Sequence, residues 1–406
     1  MEEKNSEKKE RKMRDSGIPW IGEVPEGWEF SKIKYHCTMK SGDNITALDI
    51  SDNGEYPVYG GNGLRGFYKI YNKNGNHILI GRQGALAGNV HLVNGKFWAT
   101  DHAVVVTLKN DVFINYFFRM LESMNLNQYA FDTAAQPGLS VSRIMNLNIV
   151  LPNLEKQHRI ADFLDSKCSE IDTLIENLRA RMESAKEYKK AVITEAVTKG
   201  LDKNIDLKET DSFFWHNIPK HWDFADIKYV FEIVKRIAGK EGYDVLSVTQ
   251  KGLKVKDITC NEGQIAANYK GYQFVYPDDF VMNHMDLLTG WVDCSKMFGV
   301  TSPDYRVFRL QDKNKHDLRY YTYIMQCCYT NRYFYSLGQG VSTLGRWRLQ
   351  TSSFMNFQIP VPPKEEQRRI ADYLDSKCSE IDALLQNYED QITTLEEYKK
   401  SLIYQA

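Results

Sequence analysis

Two stretches of the sequence combine residue types and spacings that could support chemistry. The first, Gly61-Asn62-Gly63-Leu64-Arg65-Gly66, fits the G-x-G-x-x-G pattern that binds dinucleotide phosphates in many proteins. That use requires a helix directly after the glycines, whereas the letters that follow, FYKIY, are typical of a strand. The pattern therefore predicts a glycine-rich hairpin turn. Its tip carries Asn62 and Arg65, whose side chains suit the edges of adenine and guanine.

The second stretch is Asn283-His284-Met285-Asp286, which resembles Asp101-His102 in pairing an acid with a histidine. Neither has a further residue at metal-ligand spacing or a nucleophile in a recognisable turn, so a structural or polar-contact role is the more common use. The sequence also lacks a P-loop, an H-E-x-x-H pair and the N/D-P-P-Y/F motif of amino-methyltransferases. We therefore predict no active site in this chain.

Polar, basic and glycine-rich letters also fill QPGLSVSRI and GQGVSTLGRWRL, each just before a segment that the chain uses twice. Such segments suit contacts with phosphates and base edges, although a solvated loop that stabilises the next helix is an equally good interpretation of any one residue. The candidates for DNA contact are Asn62, Arg65, Arg82, Gln83, Gln136, Ser140, Arg143, Asn283, His284, Gln339, Ser342, Thr343, Arg346 and Arg348.

The segment used twice is Gln157–Asp172, QHRIADFLDSKCSEID, which returns as QRRIADYLDSKCSEID at Gln367–Asp382 with fourteen of sixteen letters identical. A strand-like lead precedes each copy, MNLNIVLP and MNFQIPVP, and the chain from Asp15 resembles the chain from Asp211. Internal repeats decide architecture. The sequence therefore predicts one unit used twice, 1–196 and 197–406.

Each repeated segment opens a long helix, which Pro152 and Asn153 start and Lys199-Gly200 stops in the first copy. About 45 residues make a rod of roughly 65–70 Å. Each globular part before a helix, called a head below, is too small to span such a rod, so the helices should run antiparallel. The predicted apolar seam has a heptad-like spacing and comprises Ile160, Leu164, Ile171, Leu174, Leu178, Ala185, Tyr188 and Val192, then Ile370, Leu374, Ile381, Leu384, Tyr388, Leu395, Tyr398 and Leu402.

The predicted fold class is α+β: two mixed α/β heads joined by two long antiparallel helices that form an intramolecular coiled coil, with a pseudo-twofold internal repeat. Gly- and Asn-punctuated apolar runs predict strands, and INYFFRMLESMNL (Ile114–Leu126) predicts a helix within the first head. The predicted boundaries are 1–150 for the first head, 151–199 for the central helix, 200–358 for the second head and 359–406 for the C-terminal helix.

Composition excludes several classes of protein. The chain has 406 residues, 42% of them hydrophobic, which indicates a globular, multi-domain protein. Its net charge of −1 excludes a strongly basic nucleic-acid binder. Seven cysteines without a C-x-x-C pair argue against a disulfide framework or a zinc module. No apolar run is long enough to cross a membrane, and the first fourteen residues lack the centre of a signal peptide. We expect a cytoplasmic protein.

Two divergent heads, two near-identical helices and the wording EKQHRIADFLDSKCSEID resemble the specificity subunit of a type I DNA restriction-modification system. IPWIGEVPEGWEFSKIKY, the YPVYGGNG turn and NHMDLLTGWVDCSK are also typical of that family, and the resemblance covers essentially the whole chain. It implies that each head is a target recognition domain for one half of a split site in double-stranded DNA, and that the helices are the spacer.

The resemblance also implies partners. Two modification subunits, which carry S-adenosylmethionine and methylate adenine, should dock on the helices, and restriction or motor subunits, which use ATP and Mg, should join for cleavage. This chain itself would bind no cofactor and would not be an enzyme. Identical polar residues on the two helices predict two equivalent docking surfaces, with Asp165, Ser166, Lys167, Asp375, Ser376 and Lys377 as candidates.

Three other classes stay open at this point. A rod-linked adaptor between proteins, without DNA specificity, would explain two heads on long helices. A divergent self-contained methyltransferase or a sugar-binding module would explain aromatic and glycine-rich loops. Binding of S-adenosylmethionine by this chain alone would favour the methyltransferase.

Overall fold

The computed structural model describes residues 12–18, 21–84, 87–109, 111–131, 138–257, 268–340 and 347–406. Four candidates for DNA contact, Gln136, Ser342, Thr343 and Arg346, lie outside the described residues. The chain divides into two compact units. Unit 1 combines Met1–Leu178 with Asp390–Ala406, and unit 2 is Arg179–Glu389.

The elements of unit 1 are mostly short strands that precede one long helix. They are β1 (Met13–Asp15), β2 (Glu23–Pro25), β3 (Glu29–Lys32), α1 (Ile33–His36), β4 (Cys37–Ser41), β5 (Tyr56–Gly60), β6 (Gly63–Tyr68), β7 (Lys73–Asn74), β8 (His77–Gly81), β9 (Val90–Val93), β10 (Lys96–Ala99), β11 (Ala103–Leu108), α2 (Ile114–Ser123), β12 (Ala130–Phe131), β13 (Gly138–Leu139), α3 (Val141–Met145), β14 (Asn148–Leu151) and α4 (Leu154–Lys199).

Unit 2 begins within α4 and repeats this order with different loops. Its further elements are β15 (Leu207–Glu209), β16 (Asn217–Pro219), β17 (Asp223–Asp226), α5 (Ile227–Val230), β18 (Phe231–Ile233), β19 (Leu246–Thr249), β20 (Gly252–Val255), β21 (Gln273–Val275), β22 (Phe280–Met282), β23 (Val292–Cys294), β24 (Gly299–Thr301), β25 (Arg306–Leu310), α6 (Leu318–Thr330), α7 (Tyr333–Ser336), α8 (Thr351–Met355), β26 (Gln358–Val361) and α9 (Lys364–Gln405).

Both units share one central sheet topology. The strand order is β4-β11-β8-β9 in unit 1 and β18-β25-β22-β23 in unit 2, with antiparallel pairing throughout. The strand before each long helix also returns to the start of its head, since β14 pairs with β3 and β26 pairs with β17. Two mixed α/β heads with a common frame, as the repeat predicted, are thus confirmed. The predicted boundaries at 150, 199 and 358 stay a prediction.

Strand β11 shows why its sequence is apolar throughout. Val104 and Val106 pack with Phe117 of α2 in one hydrophobic cluster, whereas Val105 packs with Phe97 in another. The strand therefore has apolar neighbours on both faces, and β-branched residues suit such a position. The helix predicted around 114–126 is α2, which covers one of these faces.

The first long helix begins and ends near its predicted limits. Asn153 accepts a hydrogen bond from the N–H of Lys156 at 3.1 Å, which caps the first turn of α4. At the other end, Gly200 has φ +77°, the left-handed conformation in which helices commonly end and which glycine adopts without strain. The hairpin predicted for the G-x-G-x-x-G segment is confirmed as well, since β5 and β6 pair across the turn at Gly61 and Asn62.

The apolar seam differs in part from the predicted one. Leu174 and Tyr188 of α4 are 52% and 57% exposed, as are Leu384 (41%) and Tyr398 (56%) of α9. Between residues 161 and 182, the buried positions of α4 instead follow alternating steps of three and four residues, which keep side chains on one narrow stripe. They are Ala161, Leu164, Cys168, Ile171, Ile175, Leu178 and Met182. The prediction passed over Ala161, Cys168, Ile175 and Met182, and it included Leu174 and Tyr188, which fall beside the stripe.

Each unit contains contacts between parts of the two long helices. In unit 1, Leu164 and Cys168 form a buried cluster with Ile403, and the ammonium of Lys399 lies 2.7 Å from the carboxylate of Asp172. In unit 2, the corresponding pair is Lys189 with Asp382, at 2.6 Å. The same ion pair therefore recurs with the roles of the helices exchanged.

Burial on α9 predicts a contrast between two leucines. Leu374 is fully buried in the main cluster of unit 2, whereas Leu384 lies on the same helix and is 41% exposed. We expect Leu374→Ala to lower the free energy of unfolding by about 2–5 kcal/mol, because a buried cavity forms. Leu384→Ala should change it by less than about 0.5 kcal/mol. Urea unfolding of both variants measures this, and equal losses would contradict the burial described here.

Candidate nucleic-acid interface

In unit 1, three chain segments meet where β8 ends. The N–H of Arg82 donates to the carbonyl of His102 at 2.9 Å, and the carbonyl of Arg82 accepts from the N–H of Leu139 at 2.9 Å. Gln83 forms a β-bridge with Gly138. The end of the central strand is therefore joined both to the turn before β11 and to the segment that leads into α3.

The hairpin tip of β5 and β6 lies against this junction. A Cβ on Gly61 would lie 3.1 Å from the carbonyl oxygen of His102, so a larger residue would displace the tip by a few tenths of an ångström. Asn62 accepts a hydrogen bond from Asn89 at 3.4 Å, and the side chain of Arg65 folds over Gly60.

The remaining candidates of unit 1 lie on α3, directly after Leu139. Ser140 caps α3 by accepting from the N–H of Arg143 at 3.4 Å. The guanidinium of Arg143 lies 5.6 Å from the centre of the Tyr129 ring, a cation–π distance. The structure thus places all six described candidates of unit 1 along one margin, called edge 1 here: Asn62, Arg65, Arg82, Gln83, Ser140 and Arg143.

Unit 2 builds an equivalent junction from different side chains. β22 ends at Met282, and the carbonyl of His284 accepts from the N–H of Leu349 at 3.0 Å, as that of Arg82 does from Leu139 in unit 1. Arg348, the residue before Leu349, exchanges two backbone hydrogen bonds with Gln339, of 2.9 and 3.0 Å. The candidates Asn283, His284, Gln339 and Arg348 therefore lie together, and we call them edge 2.

A buried arginine supports edge 2 from below. Arg306 is 5% exposed and donates to the carbonyl of Leu349 at 3.1 Å and to the hydroxyl of Thr351 at 3.3 Å. Its guanidinium lies 4.6 Å from the centre of the Phe354 ring. Burial lowers the pKa of Arg306 to about 10. The segment that presents Arg348 is thus held by a cation within the head.

Sequence reasoning missed Arg306, which reads as an ordinary solvated charge within DYRVFRL. The available signal was strand alternation, because Arg306, Phe308 and Leu310 fall on one face of β25 and the two apolar ones are buried.

Sequence reasoning also missed a row of three hydrogen-bonded side chains, Ser31, His36 and Asp111. His36 lies 2.6 Å from the hydroxyl of Ser31 and 2.7 Å from the carboxylate of Asp111. The row joins β3, α1 and the segment before α2. Among the described residues there is no group of three or more His, Cys, Asp or Glu side chains that could hold a metal.

The candidates for partner binding lie on the long helices. Ser166 and Lys167 are exposed on α4, and Ser376 is exposed and Lys377 half-buried on α9. Asp165 and Asp375 instead hold their own heads. Both oxygens of Asp165 accept hydrogen bonds from Asn115 and Arg119 of α2, and those of Asp375 accept from Arg319 and Tyr323 of α6.

Comparison with known proteins agrees with the two-unit geometry. The family described as "Type I restriction modification DNA specificity domain" matches twice, at residues 25–184 and 219–394. A type I restriction enzyme specificity subunit of Escherichia coli, EcoprrI, is 45% identical over 144 residues, which cover 34% of this chain and 35% of that protein. The MjaVIII specificity subunit of Methanocaldococcus jannaschii is 25% identical over 94% of this chain and 92% of its own length.

A solved structure has the same fold. It was reported as "Structural basis underlying complex assembly and conformational transition of the type I R-M system", and it matches with a TM-score of 0.64 at 14% identity, over 94% of this chain and 97% of its own.

Because the family matches both halves, the chain belongs to the type I restriction modification DNA specificity domain family and carries two of its domains. The resemblance that the repeated helix indicated is confirmed, and with it a specificity role rather than a catalytic one. No helix of the described residues has the length and apolar character that crossing a membrane requires.

The environment of His284 predicts a pH dependence. Burial first, and then the charges of Arg306 and Arg348, lower the pKa of His284 to about 4, below the ordinary value of about 6.5. The unfolded chain therefore takes up a proton before the folded one does, so this group costs stability as the pH falls from about 6.5 to about 4. We expect His284→Gln to remove that part of the loss.

The measurement is the free energy of unfolding in urea at pH 7.5 and pH 5, for the wild type and His284→Gln. At pH 7.5 the imidazole is neutral in both states, so this point is the internal reference. The difference between the two pH values should be smaller in the variant. An unchanged difference would mean that His284 is protonated in the folded protein.

Proposed function

We propose that each unit reads one half of a bipartite site in double-stranded DNA, with edge 1 and edge 2 as the reading surfaces. The observation that carries this is the equivalent backbone junction in the two units, Arg82 with Leu139 and His284 with Leu349. The frame is constant and the presented side chains differ. Such a design suits two modules that make the same kind of contact with different sequences.

The chemistry of both edges fits DNA. Arginine, asparagine and glutamine make bidentate hydrogen bonds with guanine and adenine edges, and serine and backbone N–H groups bind phosphates. Edge 1 offers Arg65, Arg82 and Gln83, and edge 2 offers Gln339 and Arg348, all of them exposed. His284 is neutral at pH 7, so it would contact bases as a hydrogen-bonding group rather than as a cation.

Charge supports a function within a larger complex. A net charge of −1 is low for a protein that binds DNA alone, since phosphate neutralisation dominates such affinity. We infer that partner subunits supply much of the phosphate contact. They would be two modification subunits that carry S-adenosylmethionine, and restriction or motor subunits that use ATP and Mg²⁺, in the cytoplasm.

The two long helices form an intramolecular antiparallel coiled coil in this proposal. Support comes from the stripe on α4 with its steps of three and four, and from the pairs Asp172 with Lys399 and Lys189 with Asp382. In both pairs a residue early in one helix meets a residue late in the other. The helix length would then set how many base pairs separate the half-sites.

Two equivalent surfaces on the helices fit two copies of one partner. The hydrogen bond with Glu170 and, more weakly, the proximity of Tyr398 raise the pKa of Lys167. Lys377 stands in the same relation to Glu380 and to Tyr188. In each unit, therefore, a lysine of one long helix lies near a tyrosine of the other long helix, and that tyrosine is more than half exposed. Exposed tyrosines are frequent anchors of protein interfaces.

The rod-linked adaptor is the second candidate, and the family match favours DNA specificity over it. An adaptor without DNA specificity would not need edges that are alike in backbone and different in side chains. The methyltransferase and sugar-binding alternatives have no comparable observation in their favour.

The proposal predicts that the two edges act independently. Arg82→Ala should relax the sequence requirement in one half of the methylated site, and Arg348→Ala should relax it in the other half, by about 1–3 kcal/mol of discrimination at the affected base pair. Genome-wide mapping of methylated adenines, in cells that express the variant with the modification subunit, measures both. Relaxation of both halves by either single variant would contradict two separate readers.

The docking surfaces generate a separate prediction. Tyr398→Ser and Tyr188→Ser should each leave one modification subunit bound per chain at saturation, and the double variant should leave none. Native mass measurement counts the subunits. Leu384→Ser removes a different partly exposed apolar side chain from the same helix pair. It tests whether the loss of any such side chain is enough to prevent binding of a modification subunit. Full binding of two subunits by the double variant would exclude these tyrosines as docking anchors.

A further inference from the structure

A glutamine at the start of each long helix ties that helix to its head. Gln157 is 2% exposed, and its amide accepts from the N–H of Phe113 at 2.9 Å while donating to the carbonyl of Pro152 at 2.9 Å. Gln367 is fully buried and does the same with Asp317 and Pro362, both at 2.8 Å. In both units, the residue whose N–H donates to the glutamine directly precedes a helix of the head. Phe113 precedes α2 in unit 1, and Asp317 precedes α6 in unit 2.

An aspartate two turns further along makes a second attachment. Asp165 binds Asn115 at 2.7 Å and Arg119 at 3.0 and 3.1 Å, which lie four residues apart on α2. Asp375 binds Arg319 at 2.7 Å and Tyr323 at 2.8 Å, likewise four residues apart on α6. Residues at this spacing face the same side of a helix, so both donors reach one carboxylate.

The two attachments are equivalent although their donors differ. Relative to the residue bound by the glutamine, the donors stand two and six positions later in both heads: Asn115 and Arg119 after Phe113, and Arg319 and Tyr323 after Asp317. On the long helices the glutamine and the aspartate are identical and eight residues apart, which corresponds to about 12 Å. Contacts at two points this far apart restrain the tilt of a head as well as its position.

We propose that this glutamine–aspartate pair is a positioning joint: it fixes the angle at which each head meets DNA, and thereby restricts the complex to one number of base pairs between the half-sites. The inference rests on the proposed function. The four residues act through the heads rather than on DNA, because their side chains are already engaged with α2 and α6.

The geometry of DNA explains why a tilt matters. One base pair adds 3.4 Å and about 35° of rotation, since a turn holds 10–10.5 base pairs. A rigidly held head meets its half-site at one gap length and misses it at the next. A head with a loosened joint can follow a displacement of this size, so it should accept neighbouring gap lengths with unchanged half-site sequences.

The test uses Asp165→Asn and Asp375→Asn in the full chain, expressed with its modification subunit, and maps methylated adenines across the genome. An amide keeps the size of the carboxylate but removes its charge. Its NH₂ group is a hydrogen-bond donor, and it replaces an oxygen that accepts from the donors of the head. We expect methylation at sites with one base pair more or fewer between the half-sites to rise about tenfold over wild type, the factor that 1.4 kcal/mol represents. Both half-site sequences should stay the same.

Controls separate positioning from folding. Thr173→Ala changes an exposed residue further along α4, whose hydroxyl donates to the carbonyl of Ser169 at 2.8 Å, and it should leave one gap length. Asn115→Ala removes a single donor from the head side, so it should relax the gap in the same direction and by less. Thermal unfolding of each variant identifies any general loss of structure, which would weaken methylation at all sites without favouring new gaps.

Each outcome decides a separate question. A single gap length in both aspartate variants, with normal activity, would overturn the joint. Relaxed half-site sequences at an unchanged gap would assign the aspartates to reading instead of positioning. If the wild-type chain directed no sequence-specific methylation with its modification subunit, the proposed function would fail, whatever the variants did.

Discussion

Burial of the apolar stripe on the long helices is the constraint on which the rest of the structure depends. A helix of 46 residues gains most of its stability from packing rather than from propensity. The stripe of α4 meets the end of α9 in unit 1, where Ile403 packs with Leu164 and Cys168. In unit 2, Val192, Ala196 and Val197 of α4 belong to the same cluster as Leu374 of α9. Each unit therefore contains buried apolar residues from both helices.

This arrangement explains which residues the two halves keep and which they change. Gln157 and Gln367 each accept a hydrogen bond from the backbone N–H of the residue before α2 or α6. That residue is a phenylalanine in one head and an aspartate in the other, and the backbone N–H is available in both. Asp165 and Asp375 need only donors of suitable reach, and the heads supply an amide with a guanidinium, or a guanidinium with a phenol. A common attachment thus tolerates heads with different interiors.

The two edges repeat that logic at the opposite end of each central sheet. Backbone hydrogen bonds from Leu139 and Leu349 set the frame, and the side chains that project from it differ. Unit 2 adds Arg306, whose buried guanidinium holds the segment before α8, whereas the corresponding strand of unit 1 has apolar valines. The side chains of the two edges can therefore diverge between the units while the sheet beneath stays constant.

The sequence by itself determined the architecture at the level of repeats. The near-identity of the two helix segments predicted the two units. The limits of α4 near Asn153 and Gly200 and the strand after the glycine-rich turn were also predictable, because they depend on local propensity and chain periodicity. Three of the candidates chosen from the sequence, Arg82, Ser140 and Arg143, lie along one margin of unit 1, edge 1.

Tertiary structure alone decided what depends on contacts between distant segments. Leu174 and Tyr188 fit an apolar pattern as well as Ile175 does, and only the neighbouring helix determines which of them is buried. Asp165 reads as a surface charge until α2 brings Asn115 and Arg119 to it from about fifty positions earlier in the chain. Arg306 reads as solvated until β25 takes it beneath Leu349. Hydrogen bonds and burial of this kind arise from residues far apart in sequence, so no local pattern contains them.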